Sequence, residues 1–443
     1  MENELFTGTS VPKAYLKLSM PLVFSMVVTL IYNLADTYFV AQTGNTDLVA
    51  GVSLGAPVFT LLMAVGNIFA QGGSSLISRY LGAQQTESVR RVSCFCFYST
   101  LVVGVVIGAG MLLIQQPVLA LLGADAATWD HAAAYYFWLA VGAPALILSF
   151  IHSNLLRAEG MSRESMAGTI LGAVVNIILD PVFISVLGLG AAGAAIATII
   201  GYLCCDVFFL GVVLAKSKVL SVHPAHCRAG RNQVVQILTV GIPSAVVNLM
   251  QSASMVLTNQ FLLPYGNDKI AAMGIVLKVS MIVLLLLTGF AFGGQPLFGY
   301  YYGAGDKERF ARLLRFCVQF LSAVALVLSA AVFVAAPGLM RLFLDNDGVV
   351  RDGALMLRCQ VVTMVFVGFV LLMTIVFQSM GKAGASFVLS ISRQGVVFVA
   401  VLLVGRQLAG YNGILLAQAV ADTLTMLGAL VLFRTQLQKH GYA

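Results

Sequence analysis

An all-α membrane protein of twelve transmembrane helices, arranged as two pseudo-symmetric six-helix lobes, is the fold class this sequence predicts. Three observations carry that expectation. Hydrophobic residues make up 59% of the 443 and charged residues only 10%, with a mean hydropathy of +0.94, whereas globular domains are about a quarter charged. Mostly apolar stretches recur along the whole chain, and crossing the hydrocarbon takes roughly 20 residues of helix. The two halves of the chain also match each other at a shift of about 221 residues.

The predicted spans lie near 14–40, 50–81, 89–115, 130–156, 164–187, 190–215, 232–263, 268–302, 309–335, 353–379, 384–406 and 411–435. The first is expected to be retained. Met1-Glu2-Asn3-Glu4 is acidic where a signal peptide is basic, and the apolar run is too long for a cleaved segment. Between the sixth and seventh spans the polar stretch 216–231 reads as a linker. The domains are therefore an N-terminal lobe 1–215, a cytoplasmic linker 216–231 and a C-terminal lobe 232–443. No length remains for a soluble catalytic domain. Seven cysteines without C-x-x-C spacing read as small interior residues.

Net charge is +7, and its placement matters because Lys and Arg in short loops mark the cytoplasmic side. With both termini inside, the inner loops hold Arg79, Arg90 and Arg91, then Arg157 and Arg163, Lys216 to Arg231, Lys307 to Arg315, and Lys382. The outer loops near 41–49, 116–129 and 188–189 have no Lys or Arg. The loop 336–352 departs from the pattern, because Arg341 and Arg351 stand there with Asp345, Asp347 and Asp352. The partner implied by this charge is the lipid bilayer, not a nucleic acid.

The repeat aligns Ser19-Met20-Pro21 with Gly241-Ile242-Pro243, Tyr80-Leu81-Gly82-Ala83 with Tyr301-Tyr302-Gly303-Ala304, and Ala158-Glu159-Gly160 with Ser379-Met380-Gly381. Six spans per unit is an even number, so both units enter the membrane from the same side and are related by an axis along its normal. Duplicated halves with binding groups near mid-membrane are a transporter arrangement.

Two aspartates lie inside apolar stretches, Asp36 in Tyr32-Asn33-Leu34-Ala35-Asp36-Thr37 and Asp180 in Asn176-Ile177-Ile178-Leu179-Asp180-Pro181. A carboxylate at membrane depth costs about 2.5–3.5 kcal/mol on insertion scales, so its default use is to carry a cation or a proton. Helical spacing puts Tyr32 and Asn33 on the face of Asp36, and Asn176 on that of Asp180. Pro181 frees the carbonyl of Ile177 and lets the helix bend. Hydrogen bonding between neighbouring helices is the structural alternative. The second half serves as a control: Asp36 falls on Leu257 or Thr258, Asn176 on Val397 and Asp180 on Val401. A carboxylate pair needed by the fold alone should appear in both halves.

These residues resemble the multidrug and toxic compound extrusion (MATE) family, in its bacterial MepA and DinF-like branch. The matching pieces are Asn33 to Thr37, Ser78-Arg79-Tyr80-Leu81-Gly82-Ala83, Asn176 to Pro181, Gln295-Pro296-Leu297-Phe298-Gly299-Tyr300 with Gly303-Ala304, and Ser392-Arg393-Gln394. The resemblance implies a V-shaped, two-lobed exporter in the bacterial inner membrane, driven by a proton or sodium gradient and carrying polyaromatic, often cationic drugs. It implies a cation site at Asp36, Asn176 and Asp180, joined by Thr198, with no cofactor beyond the coupling H+ or Na+. A monomer is expected. The chain departs from members with an acid in span seven, since it reads Thr258-Asn259-Gln260 there.

The expected substrate-facing set is Tyr32, Asn33, Tyr136, Asn154, Gln251, Asn259, Lys278, Gln378 and Asp422. Several have a plainer reading. Lys278 and Asp422, isolated charges of the second lobe, are expected to pair with each other, and Arg393 to snorkel toward an interface. The aromatic and Met positions Tyr135, Tyr136, Phe137, Met250 and Met255 suit either a promiscuous pocket or the core. His152 is a candidate proton relay, and His223-Pro224-Ala225-His226-Cys227 has weak metal-like spacing in the linker.

Two other functions compete. Gly303-Ala304-Gly305-Asp306 fits the G-x-G-D pattern of intramembrane aspartyl proteases, but it opens a basic loop and reads better as a helix end with Asp306 starting the next helix. A flippase for a lipid-linked or amphipathic metabolite is the nearer alternative. It would want several cationic residues, where this chain offers Lys278 and Arg393.

Overall fold

Ten helices of the computed structural model are long and apolar enough to cross a membrane. The structure describes residues 4–342 and 346–442, without the side chains of Glu4, Leu249, Ser252, Asn259, Leu263, Asn267 and Ala271. Met1 to Asn3 and Asp345 lie outside the described residues. In chain order the first nine spanning helices are α1 (Val11–Ala41), α2 (Thr46–Gly82), α3 (Thr86–Leu113), α4 (Trp129–Ala158), α5 (Ser162–Val186), α6 (Gly190–Ala215), α7 (Arg231–Leu262), α8 (Asp268–Gly303) and α9 (Lys307–Arg341). A bent pair, Asp347–Val361 and Met364–Ser379, meets at 40° and forms α10.

The last apolar stretch, Ala383–His440, is helical over 58 residues, about 87 Å at 1.5 Å per residue. The hydrocarbon is only about 30 Å thick, so one span cannot use that length. Gly410 resolves it with φ +55° and ψ −123°, non-helical values that favour glycine. The chain turns back so tightly that a Cβ on Gly413 would sit 1.8 Å from the Gly405 carbonyl oxygen. Residues 383–409 are thus α11 and 411–432 are α12, which gives the twelve spans read from the sequence. Every regular element among the described residues is helical.

The repeat is written into the backbone. Left-handed positions recur at a shift of 221 or 222 residues: Gly44 and Gly266, Gln84 and Gly305, Gly160 and Gly381, Gly188 and Gly410. Each pair marks a chain reversal, so the two halves turn at equivalent places. At one of them Asp306 caps α9 by accepting from the Arg309 amide at 2.9 Å, which places the G-x-G-D motif in a loop and not in a span.

Two compact units emerge: Phe24–Ala245, and Met1–Val23 together with Val246–Ala443. The divisions fall inside α1 and α7, not in the 216–231 linker. Each lies just after an in-helix proline, Pro21 and Pro243, where a lost backbone hydrogen bond lets a helix change direction. The opening turns of α1 pack in the second unit, where Tyr15 donates to the Phe290 carbonyl at 2.8 Å. The opening turns of α7 pack in the first, where Arg79 donates to Gln236 at 3.2 Å. Within the linker, His226 Nδ1 meets Ser221 Oγ at 2.9 Å and His223 accepts from the Ala225 amide at 3.2 Å. Local turn structure accounts for that motif.

The second unit buries one ion pair completely enough to define its interior. Arg393 Nε donates to Asp422 Oδ1 at 3.1 Å, Gln418 donates to the same oxygen at 2.9 Å, and Thr363 donates to Oδ2 at 3.1 Å. Asp422 and Arg393 are 1% and 8% exposed. The expectation that Asp422 pairs with Lys278 is thereby corrected: Lys278 is exposed. Arg393 does not snorkel, because a carboxylate on a neighbouring helix satisfies it in the interior. Thr363 lies at the bend of α10 and Arg393 beside the break of α11 at Gly395, so Asp422 fastens two interrupted helices to α12.

Removing one partner of a buried pair strands the other charge and costs about 3–5 kcal/mol. Asp422→Ala is therefore expected to lower the thermal unfolding midpoint of the detergent-solubilised protein sharply, and Lys278→Ala to leave it unchanged. Equal effects of the two substitutions would restore the pairing read from the sequence.

Candidate cation site in the first repeat

The site is assembled within the Phe24–Ala245 unit by α1, α5 and α6. Close approach of α5 and α6 comes first, and small residues permit it. A Cβ on Gly201 would lie 2.8 Å from the Gly172 carbonyl oxygen and 3.2 Å from Asn176 Cβ. With no side chain at either glycine the two backbones nearly touch, which brings Asn176 of α5 against Thr198 of α6.

Asn176 is the hub. Its amide Nδ2 lies 3.3 Å from Asp180 Oδ1 and 3.3 Å from Thr198 Oγ1. Turning the amide over satisfies it better: Nδ2 then donates to Asp180 Oδ2 at 3.1 Å, and Oδ1 accepts from the Thr198 backbone amide at 3.1 Å. Asp180 is fully buried, and Asn176 and Thr198 are 2% and 5% exposed. Immediately after Asp180-Pro181 the helix widens into a π-turn over Val182–Val186, a distortion frequent at functional sites.

Asp36 completes the acidic pair from α1. It lies within electrostatic range of Asp180, and its Oδ1 is buried with no hydrogen-bond partner among the described residues. Tyr135 stands within range of both carboxylates, and the Tyr32 and Tyr202 hydroxyls interact beside Asp36. Tyr32, Asn33, Asn176, Thr198 and Tyr202 line a cavity of about 150 Å³. At about 30 Å³ per water, it holds a few waters or a hydrated cation. A drug-sized ligand needs about 300–1,000 Å³.

Six expected residues are thus brought together: Tyr32, Asn33, Asp36, Asn176, Asp180 and Thr198. Two others are corrected. Tyr136 is 1% exposed and donates to the Met111 carbonyl at 3.0 Å, so it is a core residue. One residue earlier, about 100° around the helix, Tyr135 is the tyrosine within electrostatic range of the acids. Asn154 is buried and spent on its own helix, donating to the Phe150 carbonyl at 2.7 Å and accepting from Arg157 at 2.6 Å. In the second unit Gln251 is exposed and Gln378 buried, while the side chain of Asn259 lies outside the described residues.

Sequence reasoning missed two side chains. Tyr202 was signalled by its place four residues after Thr198 on the same helix face. Asp206, a third carboxylate in an otherwise apolar span, carried the same signal as Asp36.

The sequence matches the MatE family model twice, over residues 21–182 and 243–403, once per repeat. Multidrug export protein MepA of Staphylococcus saprophyticus is 29% identical over 427 residues, covering 96% of this chain and 94% of that protein. MepA of Staphylococcus aureus is 28% identical over the same shares. Among solved structures, a multidrug resistance MATE family transporter of the MOP superfamily in an outward-facing conformation superposes with a TM-score of 0.92 at 25% identity, covering 98% of each chain. A MOP superfamily transporter from Pyrococcus furiosus, described as having a binding pocket of reversed polarity that suggests a different function, superposes with a TM-score of 0.91 at 26% identity, covering 98% of this chain and 97% of that one.

Overpacking a close helix contact costs about 1–3 kcal/mol. Gly201→Val is expected to lower the unfolding midpoint by separating α5 from α6, and Gly211→Val, where a Cβ meets nothing within 4 Å, to leave it in place. Thermal denaturation of the two variants side by side checks the contact.

Proposed function

The chain belongs to the MatE family of membrane transporters, and from that premise we propose that it is a secondary active multidrug exporter, exchanging cationic or polyaromatic compounds for protons or sodium ions. It is a transporter and not an enzyme. The observation that carries the proposal is the buried group Asp180, Asn176 and Thr198, within charge range of Asp36 and beside a small cavity that Asn176 and Thr198 themselves line.

Two carboxylates in a low-dielectric interior do not both stay ionised cheaply. A proton shared between them, a sodium ion held by their oxygens with those of Asn176 and Thr198, or the ammonium of a substrate each relieves the repulsion. Only one of these occupies the site at a time. In a transporter that opens alternately to the two sides, mutual exclusion becomes exchange. The 150 Å³ cavity suits the coupling ion, so the larger substrate requires a more open form of the same region.

The Lys and Arg distribution supports a bacterial plasma membrane location with both termini cytoplasmic. A carrier of anionic lipid-linked metabolites has less support, because Asp422 neutralises the buried Arg393 and the first-unit site is acidic.

Proteoliposomes loaded with a fluorescent cationic drug test the reading when a proton or a sodium gradient is applied separately. Efflux is expected to follow one gradient and to fall to the gradient-free background in Asp180→Asn and Asp36→Asn. Wild-type flux indifferent to both gradients, or full transport by Asp180→Asn, rules the mechanism out.

A further inference from the structure

The same unit holds a second, larger cavity on a different face of α6. It measures about 510 Å³ and lies between α3, α4 and α6. Its rim is apolar and open: Val141, Leu203 and Val207 are 47%, 47% and 72% exposed, as expected of side chains that face lipid. Its lining is polar at two points only. His152 of α4 and Asp206 of α6 both contribute to the wall, and they are 3% and 7% exposed. Neither ring nitrogen of His152 and neither carboxylate oxygen of Asp206 has a hydrogen-bond partner among the described residues. Phe97 packs on the imidazole at 5.3 Å between ring centroids, and Trp138 completes the aromatic part of the lining.

This cavity is separate from the cation site. Asp206 follows Thr198 by eight residues, about 12 Å along the axis and about 80° around it, so the two side chains serve different faces of α6. The neighbouring Cys205 lines the 150 Å³ cavity while Asp206 lines this one, and α6 is the wall between them.

An apolar pocket of 300–1,000 Å³ with a few convergent polar groups is the usual form of a small-molecule site. The geometry points to a binding site for an amphipathic amine that reaches the protein dissolved in the bilayer, its ammonium on Asp206 and its apolar or aromatic body against Phe97, Trp138 and the rim. Charge decides the ligand class. An acyl chain fills the volume but leaves both Asp206 oxygens buried without a partner, which is costly in an apolar setting. An ammonium donates to the carboxylate in a charge-assisted hydrogen bond, and the resulting pair has no net charge, as a cavity open to hydrocarbon requires. The aromatic faces favour the same cation. Depth decides its source. Asp206 lies nine residues from the end of α6 at Ala215, about 13 Å along the helix, below the level of lipid headgroups. A free amine reaches that depth, whereas a headgroup amine is tethered above it.

The test is photolabelling of the full chain in phosphatidylcholine nanodiscs, without any ion gradient, by an N,N-dimethylalkylamine carrying a naphthyl ring and a diazirine. Saturable labelling is expected on peptides spanning residues 97–101 and 203–210. Losing a charge-assisted hydrogen bond weakens binding by about tenfold to a hundredfold, so Asp206→Asn should raise the half-saturating concentration by that factor. Val207→Trp, which fills the mouth and leaves the carboxylate in place, should suppress labelling as well and guards against a folding artefact at Asp206. Asp180→Asn, which disables exchange under the proposal above, should leave the labelling in place, so the two readings fail separately. Unchanged labelling of both Asp206→Asn and Val207→Trp overturns the site. Loss of labelling when phosphatidylethanolamine replaces phosphatidylcholine overturns the free amine in favour of a lipid headgroup.

Discussion

The hydrogen bonds that Asn176 makes to Asp180 and Thr198 are what the rest of this molecule's chemistry depends on. They hold a carboxylate in an apolar bundle without neutralising it. An amide donor lowers the cost of the buried acid but brings no positive charge, and Asp36 adds a second negative group with one oxygen unpartnered. Asp422 shows the opposite solution to the same problem. Three donors, one of them a guanidinium, engage both its oxygens and balance its charge. Aspartates at membrane depth thus meet two fates in one chain. The fully satisfied one fastens helices together; the partly satisfied pair keeps unused acceptor capacity.

Much of this was legible in the sequence. Twelve apolar stretches, the shift between halves and the i, i+4 pairing of Asn176 with Asp180 follow from periodicity and the cost of intramembrane charge, which are local properties. Partner choice was not legible. Asp422 had two basic candidates in its half, and only the packing of α11 on α12 shows that Arg393 reaches it while Lys278 stays exposed. Tyr135 and Tyr136 are adjacent and chemically identical. About 100° of helical rotation separates a residue near two carboxylates from one whose hydroxyl seals a turn of α3, and hydropathy does not fix that angle in a helix apolar all round. Asp206 differs from these, for the signal was present: a lone carboxylate in a 26-residue apolar helix.

The repeat separates what the fold needs from what the function needs. Chain reversals recur at Gly44 and Gly266, Gly160 and Gly381, and Gly188 and Gly410, because turning a chain at the end of a span makes the same backbone demand in each half. The family model likewise matches both halves. Chemistry did not repeat with the geometry: Val397 and Val401 stand where the first half has Asn176 and Asp180. If the repeat geometry itself called for these acids, the equivalent helices of the second half would carry them at the same positions. Those helices, α11 and α12, are instead joined by the charge-balanced pair of Arg393 and Asp422. The acid–amide group is therefore specific to the first repeat, and on the proposed function its cost in stability is explained by the ion it binds.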